Sequence, residues 1–189
     1  MRDILPVRVI VISVFILGLA FMLPALWRAR QRKGHTFIVY AVFAVYLFAN
    51  LYLTLLSREE SSKFSYDLEL FSVYRQSFQR DNGILGTIRR LLTGGFPAGI
   101  QLEAGKSLEG AVLNILLYVP MGCLMPIVWP KLGTAAVILI GFLSSLATET
   151  IQLVFRLGLF EADDLFNNTL GTILGVLLCL LLIRKKQRR

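Results

Sequence analysis

Residues 148–171 read TETIQLVFRLGLFEADDLFNNTLG. Apolar runs flank them, AAVILIGFLSSLA (135–147) and TILGVLLCLLLI (172–183). The polar stretch between the runs decides the fold. Each run, extended a few residues into it, reaches the roughly 18–20 residues needed to cross a bilayer. The quoted segment is therefore the top of a helical hairpin, and Glu149, Gln152, Arg156, Asp164 and Asn168 fall at or inside two membrane spans.

The rest of the chain has the same character. Of 189 residues, 56% are hydrophobic and 17% charged, and the mean hydropathy is +0.67. A soluble domain carries about a quarter charged residues. The runs are too long for barrel strands, which alternate in polarity over about 10 residues. Only helices and closed barrels satisfy their backbone in lipid, so the expected fold is an all-α polytopic bundle. Much of the net charge of +8 sits in RARQRK (28–33) and RKKQRR (184–189), beside apolar runs. These read as insertion signals rather than a nucleic-acid surface. Cys123 and Cys179 lie within apolar runs and read as small packing residues. The single histidine, His35, belongs to a basic loop. No cofactor is implied.

Five spans are expected: Val9–Leu26, Thr36–Leu56, Leu108–Val128, Thr134–Phe155 and Leu165–Ile183. The chain divides into two N-terminal helices (1–57), an extracytoplasmic amphipathic segment at the interface (58–107), a three-helix core (108–183) and a basic cytoplasmic tail (184–189). Lys and Arg are densest in the 28–35 loop, the 129–133 loop and the tail. Those parts are expected inside, with the N-terminus and the 156–164 loop outside.

Ser145, Glu149, Gln152 and Arg156 follow at intervals of four, three and four residues, which places them on one helix face. Arg156 is long enough to reach back towards Glu149. Asp164, Asn168, Gly171 and Gly175 repeat the same intervals on the last span, and their small residues suit close packing against the fourth. Asn114, Tyr118 and Gly122 form a third stripe, with Pro120 as a candidate kink. Three spans thus carry polar groups at one depth, where a carboxylate costs at least a few kcal/mol unless paired or hydrated. A polar clamp fixing helix register and a water-accessible pocket are both consistent with this set.

Four blocks in this region, NILLYVPMG (114–122), SLATETIQ (145–152), Arg156 and FEADDLFNNTLG (160–171), resemble the signature blocks of VanZ-like membrane proteins in order and spacing. Glu161 stands where that family usually has Asp, and Asn168, not Asn167, matches its N-T-x-G. The resemblance implies a bacterial cytoplasmic-membrane protein. It also brings a theme: the family's named member gives low-level resistance to the lipoglycopeptide teicoplanin. It assigns no reaction.

Two kinds of function fit the residues. In one, Asn114, Tyr118, Ser145, Glu149, Gln152, Arg156, Asp163, Asp164 and Asn168 line a pocket for a lipid-linked or lipoglycopeptide ligand at the outer leaflet. In the other, the chain is an intramembrane enzyme acting on lipid-linked substrates. Glu149 is then the general acid or base, and Asp163 and Asp164 are candidate ligands for Mg²⁺ against a diphosphate. A third reading makes the protein a scaffold. Membrane lipids are partners in every case; nucleic acid is not.

Overall fold

The computed structural model describes residues 23, 25–31, 36–58, 60, 64–80 and 108–187. Most of the first expected span, the stretch ILGTIRRLL with TGGFPAG, and the end of the basic tail lie outside them. The elements run α1 (Thr36–Leu51), a π-helical turn (Tyr52–Leu56), β1 (Ser65–Asp67), α2 (Ser72–Arg80), α3 (Leu108–Val128), α4 (Thr134–Val154), β2 (Leu159–Glu161) and α5 (Ala162–Gln187). Four helices among the described residues are long and apolar enough to cross a membrane: Thr36–Leu56, Gly110–Val128, Thr134–Val154 and Ala162–Leu182. The fifth expected span thus begins three residues early, because Asp163 and Asp164 already lie in the first turn of α5. Carboxylates there complement the helix dipole.

The helices are apolar nearly all round. Phe37, Val45, Phe48, Leu139 and Leu181 each expose more than half of their surface, as expected where lipid replaces water. The central helix is α3, with 61% of its span buried against 28%, 33% and 39% for the others. Leu124, Ile127 and Val128 of α3 are fully covered, and Val39, Phe43 and Tyr46 of α1 join them in the core. Pro120 and Pro126 sit inside α3 without ending it.

The tightest contact is between α3 and α5, and here the structure corrects the sequence reading. Gly171 and Gly175 were expected to face α4. They face α3. A Cβ on Gly171 would strike the carbonyl oxygen of Ile115, and one on Gly175 that of Val119. Gly122 answers from α3 and is just as close to the backbone of Thr172. Glycine on both sides lets the backbones meet, as in membrane helix pairs generally. Cys123 donates from its Sγ to the Gly175 carbonyl at 3.2 Å. Against α4, α5 instead uses Thr172, whose side chain lies over Gly141.

An all-α chain was expected, but two short strands pair in parallel, Ser65 with Leu159 through Asp67 with Glu161. Each has only three residues. Alternation this short is not readable from composition. The pairing ties the segment after α1 to the α4–α5 hairpin, at the end of the bundle that carries the polar residues.

Candidate functional site

The stripe on α4 is buried. Glu149 is 2% exposed, Gln152 1% and Ser145 0%. Glu149 accepts a hydrogen bond through Oε2 from the backbone N–H of Glu161 at 3.2 Å. Asn168 on α5 donates from Nδ2 to Ser145 Oγ at 2.8 Å. Gln152 donates from Nε2 to the carbonyl of Thr54 at 2.9 Å. That carbonyl is free because the helix ends at the π turn, where Ser57 N–H bonds back to Tyr52 at 2.9 Å; the last carbonyls of a helix lack internal partners. From α3, the Tyr118 hydroxyl faces Ser144, Ser145, Thr148 and Glu149. Asn114 stands beside the Asp164 carboxylate, and Asp164 lies within electrostatic reach of Glu149. All four described spans therefore contribute to one cluster.

The end of α4 explains the placement of Arg156. Leu157 N–H bonds the Gln152 carbonyl at 2.8 Å, and Arg156 N–H bonds that of Leu153 at 3.2 Å. This is the Schellman pattern, and it puts Arg156 in the left-handed region at φ 55°. Glycine is the usual occupant; a side chain there costs about 1–2 kcal/mol. The guanidinium of Arg156 lies 4.4 Å from the centre of the Phe64 ring. It does not fold back to Glu149 as expected, because the reversal at the helix end turns it towards the 64–71 segment. The guanidinium that acts on Glu149 and Asp164 is that of Arg58. It lies against Gly158, where a Cβ would come within 2.5 Å of Nη1.

Asp163 faces away from this cluster. Its Oδ1 accepts from the backbone N–H of Phe71. Its Oδ2 accepts from Val73 N–H at 3.2 Å and from the Ser72 hydroxyl at 3.3 Å. It thus serves as an anionic cap for the N-terminus of α2, where unpaired N–H groups and the helix dipole favour negative charge. Beside it, Tyr74 donates its hydroxyl to Asn167 Oδ1. With both oxygens of Asp163 engaged, the pair Asp163–Asp164 does not converge. Among the described residues no group of three or more His, Cys, Asp or Glu side chains is placed to hold a metal ion.

Some buried polar atoms here have no hydrogen-bond partner among the described residues: Tyr118 Oη, Gln152 Oε1, Asn168 Oδ1 and Asn167 Nδ2. Tyr118 comes near several hydroxyls, but none meets it in hydrogen-bond geometry. An unpaired buried polar group costs about 1–3 kcal/mol.

Of the residues singled out in the sequence, Asn114, Tyr118, Ser145, Glu149, Gln152, Asp164 and Asn168 come together. Asp163 and Arg156 serve the neighbouring segment. Arg58, Thr54, Tyr74 and Asn167 were not anticipated. Arg58 stands in SREE, which reads only as the end of a span; an exposed basic residue there is ordinary. Asn167 lies outside the N-T-x-G match that singles out Asn168, yet both are buried, Asn167 against Tyr74 and Asn168 against Ser145.

Apolar spanning helices around a buried polar cluster define a membrane-helical protein with an ionisable site in its bundle. The VanZ/LLP1 family model matches residues 37–183. The chain belongs to that family. No curated protein and no solved structure matches it.

Proposed function

We propose that this protein binds the polar part of a lipid-linked or lipoglycopeptide ligand in the cluster around Glu149, at the outer leaflet of the bacterial cytoplasmic membrane. The observation that carries the reading is the set of unpartnered atoms Tyr118 Oη, Gln152 Oε1 and Asn168 Oδ1 around a carboxylate that is 2% exposed. Such atoms are what a ligand with hydroxyl or amide groups would pair. The orientation follows from the dense basic loops: five spans, N-terminus outside and C-terminus inside, with the α4–α5 hairpin outside. The 64–71 segment supports an interfacial position. Phe64, Tyr66, Leu68, Leu70 and Phe71 are all exposed there, as are Val154 and Phe155 at the end of α4, which suits a layer lying on a membrane surface.

Membership of the VanZ/LLP1 family makes reduced susceptibility to teicoplanin the first phenotype to test. Cells expressing wild type should tolerate more teicoplanin than empty cells, and Glu149→Gln at matched protein level should remove the gain. Equal tolerance in wild type and variant would end the role of Glu149. No gain from wild type would end the resistance role. Lipid extracts of the same cells test the enzymatic alternative, which requires a product made by wild type and absent with Glu149→Gln.

A further inference from the structure

Resting on that binding reading, we infer that the chemical group taken at this site is an ammonium joined to a phosphate, with Glu149 and Asp164 receiving the ammonium and Arg58 the phosphate.

The first ground is charge. Glu149 on α4 and Asp164 on α5 act on each other and share the guanidinium of Arg58. Glu161 is a further carboxylate acting on Glu149. Asp163 is set apart by the N-terminus of α2, which takes both its oxygens. A buried carboxylate and a half-buried one stand near a single exposed guanidinium; when both are ionised they call for a second positive charge, because buried charge is costly unless paired. A ligand ammonium supplies that charge.

The second ground is the hydrogen-bonding inventory. Gln152 Oε1 and Asn168 Oδ1 are acceptors without donors, and the Tyr118 hydroxyl can accept as well. Gln152 and Tyr118 are each 1% exposed. An ammonium brings three donors and no acceptor. A phosphate at the same place would find two amide oxygens that cannot donate and only the Tyr118 hydroxyl as a donor.

The third ground is position. Arg58 is exposed, while Glu149 is buried. The guanidinium lies over Gly158, where Gln152 Oε1 is 3.8 Å from the position of an added Cβ. A forked cation at the rim and carboxylates beneath it match a head whose anion is outermost and whose amine points in. The lack of a side chain at Gly158 leaves room for that guanidinium. A phospholipid headgroup and a free phosphoamine share this chemistry.

The test uses the full-length protein in nanodiscs of phosphatidylglycerol with and without phosphatidylethanolamine, and native mass spectrometry of the lipid retained. Wild type should retain phosphatidylethanolamine at least tenfold over its share of the mixture. Glu149→Gln and Asp164→Asn should each lose that enrichment, and Arg75→Ala, on the exposed pair with Glu69, should keep it. Addition of soluble phosphoethanolamine distinguishes the sources. Displacement of the lipid means the head alone is bound; retention means the acyl chains are required; both support the inference. Enrichment of phosphatidylglycerol overturns it while leaving a polar binding site in place. Equal retention of both lipids, with a teicoplanin phenotype that still needs Glu149, also overturns it and spares the broader reading. Absence of both effects removes the two together, and the carboxylates are then balanced by protons alone.

Discussion

The carboxylate of Asp163, in the first turn of α5, accepts a hydrogen bond from the backbone N–H of Val73 at 3.2 Å, across 90 residues of sequence. With the Phe71 N–H on its other oxygen, it begins α2 from outside that helix. The polar hairpin therefore has two faces, one towards the cluster of Glu149 and one that docks the segment leading into α2.

Replacing Asp163 with alanine should loosen this docking. A lost cap is worth about 0.5–2 kcal/mol, and the N–H of Val73 would be left without its acceptor. The expected result is faster amide exchange over 71–76 and earlier proteolysis there, with the spans intact. Unchanged protection would show that the β1–β2 pair holds the segment alone.

Tyr74 adds a pH dependence to the same contact. Burial, with the nearby carboxylates of Asp163 and Asp164, raises its phenol above the ordinary 10.0, and its bond to Asn167 offsets part of that. The folded state thus favours the neutral phenol. Its contribution is fully present below pH 10 and is lost as pH rises through the higher folded value. An ultraviolet titration of wild type against Tyr74→Phe should show the missing phenol as a late-titrating one, and alkaline undocking of α2 should be steeper in wild type. A difference spectrum centred at or below pH 10 would contradict this.

The glycine contacts predict a sharp asymmetry. Gly175→Ala forces a methyl into the Val119 carbonyl and should cost about 1–3 kcal/mol or more, as overpacking does. Gly133→Ala meets nothing within 4 Å and should change stability by no more than about 0.5 kcal/mol. Thermal unfolding in one detergent compares them. Equal stability would mean that α3 and α5 are not in backbone contact.

Tyr118→Phe separates a binding role from a structural one. The hydroxyl it removes has no partner among the described residues, so stability should hold or rise, within about 1 kcal/mol. Ligand retention should fall. Lost stability with normal retention would make Tyr118 a packing residue whose hydroxyl is satisfied.

Arg156→Gly should relieve the left-handed backbone strain at φ 55°, worth about 1–2 kcal/mol, while losing the stacking on Phe64. Arg156→Ala loses the stacking and keeps the strain. Arg156→Gly should therefore unfold at a higher temperature than Arg156→Ala. The reverse order would mean that the turn does not sit as described.

Apolar run length and polar interval were legible without coordinates. Lipid imposes a length on each span, and helical geometry puts residues four, three and four apart on one face. Those two facts were enough to place Asn114, Tyr118, Ser145, Glu149, Gln152, Asp164 and Asn168 in one cluster. Which helix faces which was not legible. Glycines on α5 suit any close neighbour, and only the packed bundle turned Gly171 and Gly175 to α3 and Thr172 to α4. Nor was the partner of each charge. Arg156 is nearer to Glu149 in sequence, but the reversal at the end of α4 carries it to Phe64, and Arg58 arrives from the end of α1. Helix periodicity is a local property that the order of residues encodes directly. The pairing of side chains between helices depends on rotation and depth, which are set only when all the spans pack together.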